Sequence, residues 1–114
     1  MYRPFLVLAG LLGALGVATA AAASHGGDTN LGIVANFLLF HASPLIGLSL
    51  VPRSRLVTIA GYVLVAGLVI FCSDLAMRSL AGTALFPMAA PIGGGGLILG
   101  WLLVGATALF TRRT

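Results

Sequence analysis

Two aspartates, two histidines and one cysteine are the chain's carboxylates, imidazoles and thiol, the side chains best suited to acid–base, thiol or metal chemistry. Asp74 and Arg78 stand four residues apart, a spacing that sets them on one helical face as an ion pair. His41 lies in an uncharged stretch, with Asn36 upstream and Pro44 downstream. A histidine so placed serves as an interhelical hydrogen-bond partner or as a proton relay. His25 beside Asp28 offers two ligands, where a structural metal site takes four. Cys72, the single cysteine, has no second thiol for a disulfide or a metal. There is no serine–histidine–acid set, no paired carboxylates and no multi-ligand cluster in this stock. The sequence therefore assigns no catalytic, cofactor-binding or metal residues, and the chain is read as non-enzymatic.

The elements that must position these few groups follow from composition. Of 114 residues, 60% are hydrophobic and 7% charged, and the mean hydropathy is +1.15. A soluble domain carries about 25% charged residues, so there is too little polar material here for a water-facing shell. Four apolar runs, at about 20 residues per bilayer crossing, span about Phe5 to Ala23, Leu31 to Val51, Leu56 to Met77 and Ile92 to Phe110. The connections are Ser24 to Asn30, Pro52 to Arg55 and Arg78 to Pro91, with no room for a soluble domain. The expected fold is all-α: one polytopic membrane domain over residues 1–114, a four-transmembrane-helix bundle with short loops. The first run also has the Arg3 flank and small-residue end (Ala18 to Ser24) of a secretory signal. Its length favours a retained helix.

Charge gives an orientation. Six arginines oppose two aspartates, for a net charge of +4. If the helices alternate, Arg3, Arg53, Arg55, Arg112 and Arg113 fall on one side and Arg78 on the other. The positive-inside rule then puts both termini in the cytoplasm. These cations flank apolar runs and do not form an aromatic-interleaved solvated patch, so nucleic acid is not an expected partner.

Depth along each run places the polar groups. With the second helix entering from the outer side at Leu31, His41 lies about 15 Å deep, near the midplane. Trp101 reaches a similar depth on the fourth and is expected to pack within the bundle. Neutral His41 has a candidate acceptor in the carbonyl that Pro44 frees. Asn36, roughly 8 Å deep, is expected to join Asp74 and Arg78 in one polar cluster. Small residues recur every fourth position at Gly10, Ala14, Ala18 and Ala22, and again at Gly96 and Gly100. Such stripes give tight crossings inside the bundle or a face for a partner. The broken apolar segment Ala81 to Pro91 is expected to dip into the outer interface, re-entrant or flat-lying, with Pro91 in the first turn of the next helix. Gly93 to Gly96 either present backbone donors to an anion or allow close packing of bare backbone.

Several short motifs carry a family resemblance. The small-residue first helix leading to Ser24-His25-Gly26, and Phe40-His41-Ala42 in the second, resemble motifs of the YgdD-like small membrane proteins (domain of unknown function 423). Phe71-Cys72-Ser73-Asp74-Leu75 sits where that family usually has phenylalanine-serine-glycine-serine-leucine. Ala90-Pro91-Ile92-Gly93-Gly94, leading to Gly100-Trp101, is similar to its proline-x-glycine-glycine and glycine-tryptophan signature. Two departures stand out: the first connection is shorter than the family's amphipathic stretch, and Asp74 replaces a small polar residue. The resemblance implies a four-helix inner-membrane protein and supplies no activity, cofactor or catalytic residue.

Three functions are therefore expected in turn. The first is an accessory, assembly or interaction subunit of a larger membrane complex, or a self-associating protein, with membrane lipids as constant partners. The alternative is a small transporter or channel with a proton or ion path through His41, Asn36 and Asp74. Its length and helix count resemble the small multidrug-resistance exporters, whose first-helix glutamate has no counterpart here. The third is a lipid- or hydrophobe-binding module built on Ala81 to Pro91.

Overall fold

Glycine, proline and short capping side chains end each apolar run and start the next. In the computed structural model, which describes residues 1–110, four helices follow in order: α1 (Arg3–Gly26), α2 (Thr29–Leu50), α3 (Arg55–Leu80) and α4 (Ala89–Phe110). Arg112 and Arg113 lie outside the described residues. All four helices are long and apolar enough to cross a membrane. The chain is a multi-pass membrane protein with an all-helical bundle fold.

The helices run past the apolar segments because Ser24, His25, Ser79 and Leu80 can each supply the backbone N–H and C=O that the ladder needs. Gly27 stops α1: its φ of 65° is left-handed, and its N–H bonds the Ala23 carbonyl at 2.8 Å. Asp28 then caps α2, accepting from the Leu31 N–H at 3.1 Å, so Gly27 and Asp28 alone make the turn. Pro52 follows the end of α2, and Ser54 caps α3 by accepting from the Val57 N–H at 3.1 Å. Pro91 is the third residue of α4, where a missing N–H leaves no ladder bond unmade.

In the membrane, apolar side chains gain little by leaving lipid for protein, so shape decides the packing. Neighbours in sequence are neighbours in space: α1 packs on α2, α2 on α3 and α3 on α4. The result is flattened, with principal extents of 49 × 28 × 17 Å. Contacts that skip a helix are few: Phe5 of α1 is completely buried on Gly61 of α3, and Trp101 of α4 reaches His41 of α2. Further along, α1 parts from α3, leaving a groove lined in part by Leu15, Thr19, Cys72 and Ala76.

The closest approach joins α3 to α4. A methyl group on Gly67 would stand 2.8 Å from the Leu97 nitrogen and 2.9 Å from the Gly93 oxygen. One on Gly93 would meet the Phe71 backbone nitrogen at 2.6 Å, and one on Gly100 would meet Leu64 at 2.7 Å. A methyl on Gly96 would stand 3.3 Å from the Gly67 Cα, a tight contact with backbone. The glycine run at 93–96 thus includes two positions, Gly93 and Gly96, that admit a neighbouring helix. The α1 stripe behaves differently. Gly10, Ala14 and Ala18 are exposed, and nothing lies within 4 Å of where a Gly10 side chain would begin. The inward face of α1 consists of Phe5, Ala9, Leu12 and Gly16. Of the two uses open to such a stripe, Gly10, Ala14 and Ala18 do not make the internal crossing, because every face of α1 is apolar and a second set of small residues meets α2.

Candidate functional site

The polar residues of the spans separate into two groups at different depths. The deeper group is centred on α2. His41 is buried, and its Nδ1 lies 2.7 Å from the Phe37 carbonyl oxygen one turn earlier. The Trp101 indole N–H of α4 donates to His41 Nε2 at 3.1 Å. An indole only donates, so Nε2 must be the unprotonated nitrogen and Nδ1 the N–H that donates to Phe37. Both ring nitrogens of the neutral imidazole are therefore engaged. The acceptor is Phe37, and not the carbonyl of Phe40 that Pro44 frees, because χ rotation toward the preceding turn brings the ring to its own i−4 oxygen. Phe37 stacks on His41, with ring centroids 5.9 Å apart, and meets Phe71 at 4.6 Å. Together with Gly94, Leu97 and Ile98, these rings line an open groove of about 320 Å³. Trp101 forms its rim and is 44% exposed, so it bridges α4 to α2 from the edge of the bundle instead of packing inside.

The second group holds the connection between α3 and α4. The Asp74 side chain is fully buried, and its two oxygens have different partners. Oδ2 accepts from Arg78 Nε at 2.8 Å, and Oδ1 accepts from the Leu85 N–H at 2.9 Å. Asp74 lies six residues before the end of α3, or about 9 Å down its axis. The segment from Gly82 to Met88 therefore folds back beside α3, with left-handed residues at Gly82 (φ 74°) and Met88 (φ 68°). Arg78 keeps its outer part exposed while neutralising the carboxylate. Beside this group, the Ser79 hydroxyl donates to Asp28 Oδ2 and ties the α1–α2 turn to the end of α3. That bond and the Leu31 N–H hold the Asp28 carboxyl below its ordinary value, because both favour the charged form.

Asn36 belongs to neither group. It is exposed on α2 and shares a shallow depression with Leu39, Phe40 and Ser43, whereas Asp74 is enclosed. The cluster expected from depth alone thus loses Asn36. Depth fixes height along the bundle and leaves rotation about the helix axis undetermined. The residues brought together are instead His41 with Trp101, and Asp74 with Arg78 and Leu85. The Gly-Gly-Asp turn signal marks Asp28 as a cap, but nothing in the sequence marks Ser79 as its partner. His25 lies in the last turn of α1, a favourable place for positive charge near the helix C-terminus.

Among the described residues, the arrangement gives satisfied hydrogen bonds and one ion pair. Among the described residues, no group of three or more His, Cys, Asp or Glu side chains could hold a metal ion. No solved structure matches the chain. The buried His41 on the second helix and the Gly93–Gly94 entry into the fourth fall within a family match over most of the sequence. A model described as "Protein of unknown function (DUF423)" matches residues 9–94, and the chain belongs to that family.

Proposed function

We propose that this protein is a non-enzymatic accessory or assembly subunit of a larger complex in the cell inner membrane, with both termini in the cytoplasm. The observation that carries this reading is the outward face of α1. Gly10, Ala14 and Ala18 lie exposed at a spacing of four, a surface on which another transmembrane helix can approach closely. Lipid alone asks for no such narrow strip. The orientation rests on Arg3, Arg53 and Arg55, which gather at one end while Arg78 is at the other. The satisfied hydrogen bonds of His41 and Asp74 suit a scaffold that holds its shape; they leave neither group free to pass a proton along.

Gentle detergent extraction of the intact chain, followed by native mass spectrometry, tests the reading. A mass well above that of the single chain is expected, with loss of the extra mass in Gly10→Val and Ala14→Val variants that keep their helicity. Extra mass in multiples of this chain indicates self-association; an unrelated mass indicates a hetero-complex. A wild-type protein that runs alone at its own mass overturns the proposal.

A further inference from the structure

Among the described residues, the end of the bundle that carries the α2–α3 turn holds positive charge with no carboxylate counter-ion. The chain's two acidic side chains, Asp28 and Asp74, are both engaged at the opposite end. Among the described residues the one ion pair is Arg78 with Asp74, so Arg53 and Arg55 have no carboxylate partner. Both line an open cleft of about 440 Å³, together with Ser54, Thr58 and Ile59. Arg53 is positioned in advance: its guanidinium carbon lies 4.3 Å above the centre of the Tyr2 ring. Tyr2 is itself fixed, its N–H bonded to the Ser49 carbonyl at 2.8 Å and its hydroxyl to Tyr62 at 2.9 Å. Stacking occupies the face of a guanidinium and leaves its N–H edge free, and that edge matches two oxygens of a phosphate.

We propose that this cleft binds the phosphodiester of an anionic phospholipid. Arg53 and Arg55 grip the phosphate oxygens, and the Ser54 hydroxyl, whose oxygen already accepts from Val57, keeps its proton to donate. The same chemistry would accept free phosphate, but the cleft's apolar wall points to lipid. Ile59 lies one turn below Arg55 and is exposed, and Tyr62 continues that exposed face down the helix. An acyl chain leaving the headgroup can follow it into the bilayer. The site does not depend on whether the chain joins a larger assembly.

The test uses the full chain in a non-ionic detergent, with phosphatidylglycerol, phosphatidylcholine or inorganic phosphate added separately, and native mass spectrometry as the readout. Phosphatidylglycerol should be retained at least about tenfold more tightly than phosphatidylcholine. Arg53→Gln and Arg55→Gln should each weaken it roughly fivefold, the scale of one arginine near an anionic surface. Arg3→Gln makes the same charge change at the same end without lining the cleft, and should leave retention near the wild-type value. Circular dichroism confirms that each variant is folded, and Arg53→Lys, which keeps the charge but loses the fork, should retain an intermediate amount. Equal retention of the two lipids by the wild type overturns the proposal. So does a loss in Arg3→Gln as large as in Arg53→Gln, which would mean diffuse attraction. Displacement of phosphatidylglycerol by an equal concentration of inorganic phosphate overturns the lipid assignment.

Discussion

The first and last helices carry the same small-residue signal and use it in opposite directions. On α4, Gly93, Gly96 and Gly100 turn inwards and meet α3, where Gly67 removes the last obstacle between the two backbones. On α1, Gly10, Ala14 and Ala18 turn outwards, while Ala9 and Gly16, one or two positions away, face α2. The difference shows what a spacing of four means. It states that a backbone can be approached closely, and the facing helix decides whether anything does. A small residue on α3 answers the α4 stripe, and among the described residues nothing answers Gly10 on α1.

The largest effect should come from breaking the α3–α4 crossing. Gly67→Val places branched methyl groups against the Gly93 and Leu97 backbone, which cannot move aside as a flexible side chain could. Overpacking of a tight core costs about 1–3 kcal/mol, and the backbone contact should put this variant at or above the top of that range. Thermal unfolding in detergent, followed by circular dichroism, checks it. Gly10→Val is the matched comparison and should leave unfolding of the single chain within about 0.5 kcal/mol. Equal losses in the two variants would erase the contrast between the helices.

The α4 helix is also held through its connection, and that gives the second prediction. Asp74→Leu removes both acceptors at once, leaving the Leu85 N–H and the Arg78 guanidinium without their partner. The exposed outer part of Arg78 allows it to rehydrate, so the loss in stability should be smaller than for Gly67→Val. Its mark should be local: faster amide hydrogen exchange across residues 82–88, with α1 and α2 unaffected. Uniformly faster exchange would mean that the ion pair holds the whole bundle and not the α4 connection alone.

These contrasts also separate what the sequence discloses from what it conceals. The number of spans is legible because an apolar run of bilayer length has few other readings, and the Asp74–Arg78 pair is legible because i and i+4 share a face. The depths of His41 and Trp101 are legible from the rise per residue, and the two do meet. Rotation is not legible. A soluble helix announces its inner face by polarity, but α1 and α4 are apolar all round, so nothing in their patterns says which side is lipid. That is why depth alone sets Asn36 beside Asp74 although it lies elsewhere, and why the Gly10 stripe reads equally as an inner seam or an outer face. The role of Gly67 was equally hidden, as a single glycine in α3 becomes meaningful only once the backbone opposite it is known.

The bridge from α4 to α2 should carry less than the glycine crossing or the buried carboxylate. Trp101→Phe keeps an aromatic ring on the groove rim and removes only the N–H that His41 Nε2 accepts. One such bond between membrane helices is worth about 0.6–1.5 kcal/mol, so a small loss is expected. The decisive readout is nitrogen NMR of His41, which should show Nδ1 protonated in the wild type. The variant releases Nε2 to water or to the other tautomer, and its spectrum should change. An Nε2-protonated wild type would mean that Trp101 does not donate to it.

The weakest tie is the one that fastens the α1–α2 turn. Ser79 donates to Asp28, and with the Leu31 N–H it favours the carboxylate, so the folded-state value of Asp28 lies below the ordinary one of about 3.9. The sign follows from linkage: a lowered value in the folded state means that the contribution is complete above the ordinary value and is lost as pH falls through the folded one. Unfolding measured from pH 7 down to pH 2 should therefore show a modest loss beginning below about pH 5. In Ser79→Ala the Leu31 bond remains, so part of that acid loss should persist and the rest disappear. Asp28→Asn should remove nearly all that comes from this turn, because no charged form remains to be favoured. An unchanged pH profile in Ser79→Ala would place the preference on the helix cap alone and detach α1 from the far end of α3. The first helix would then be seated by α2 and, at its N-terminal end alone, by the Phe5–Gly61 and Tyr2–Tyr62 contacts with α3, which would widen its contrast with α4.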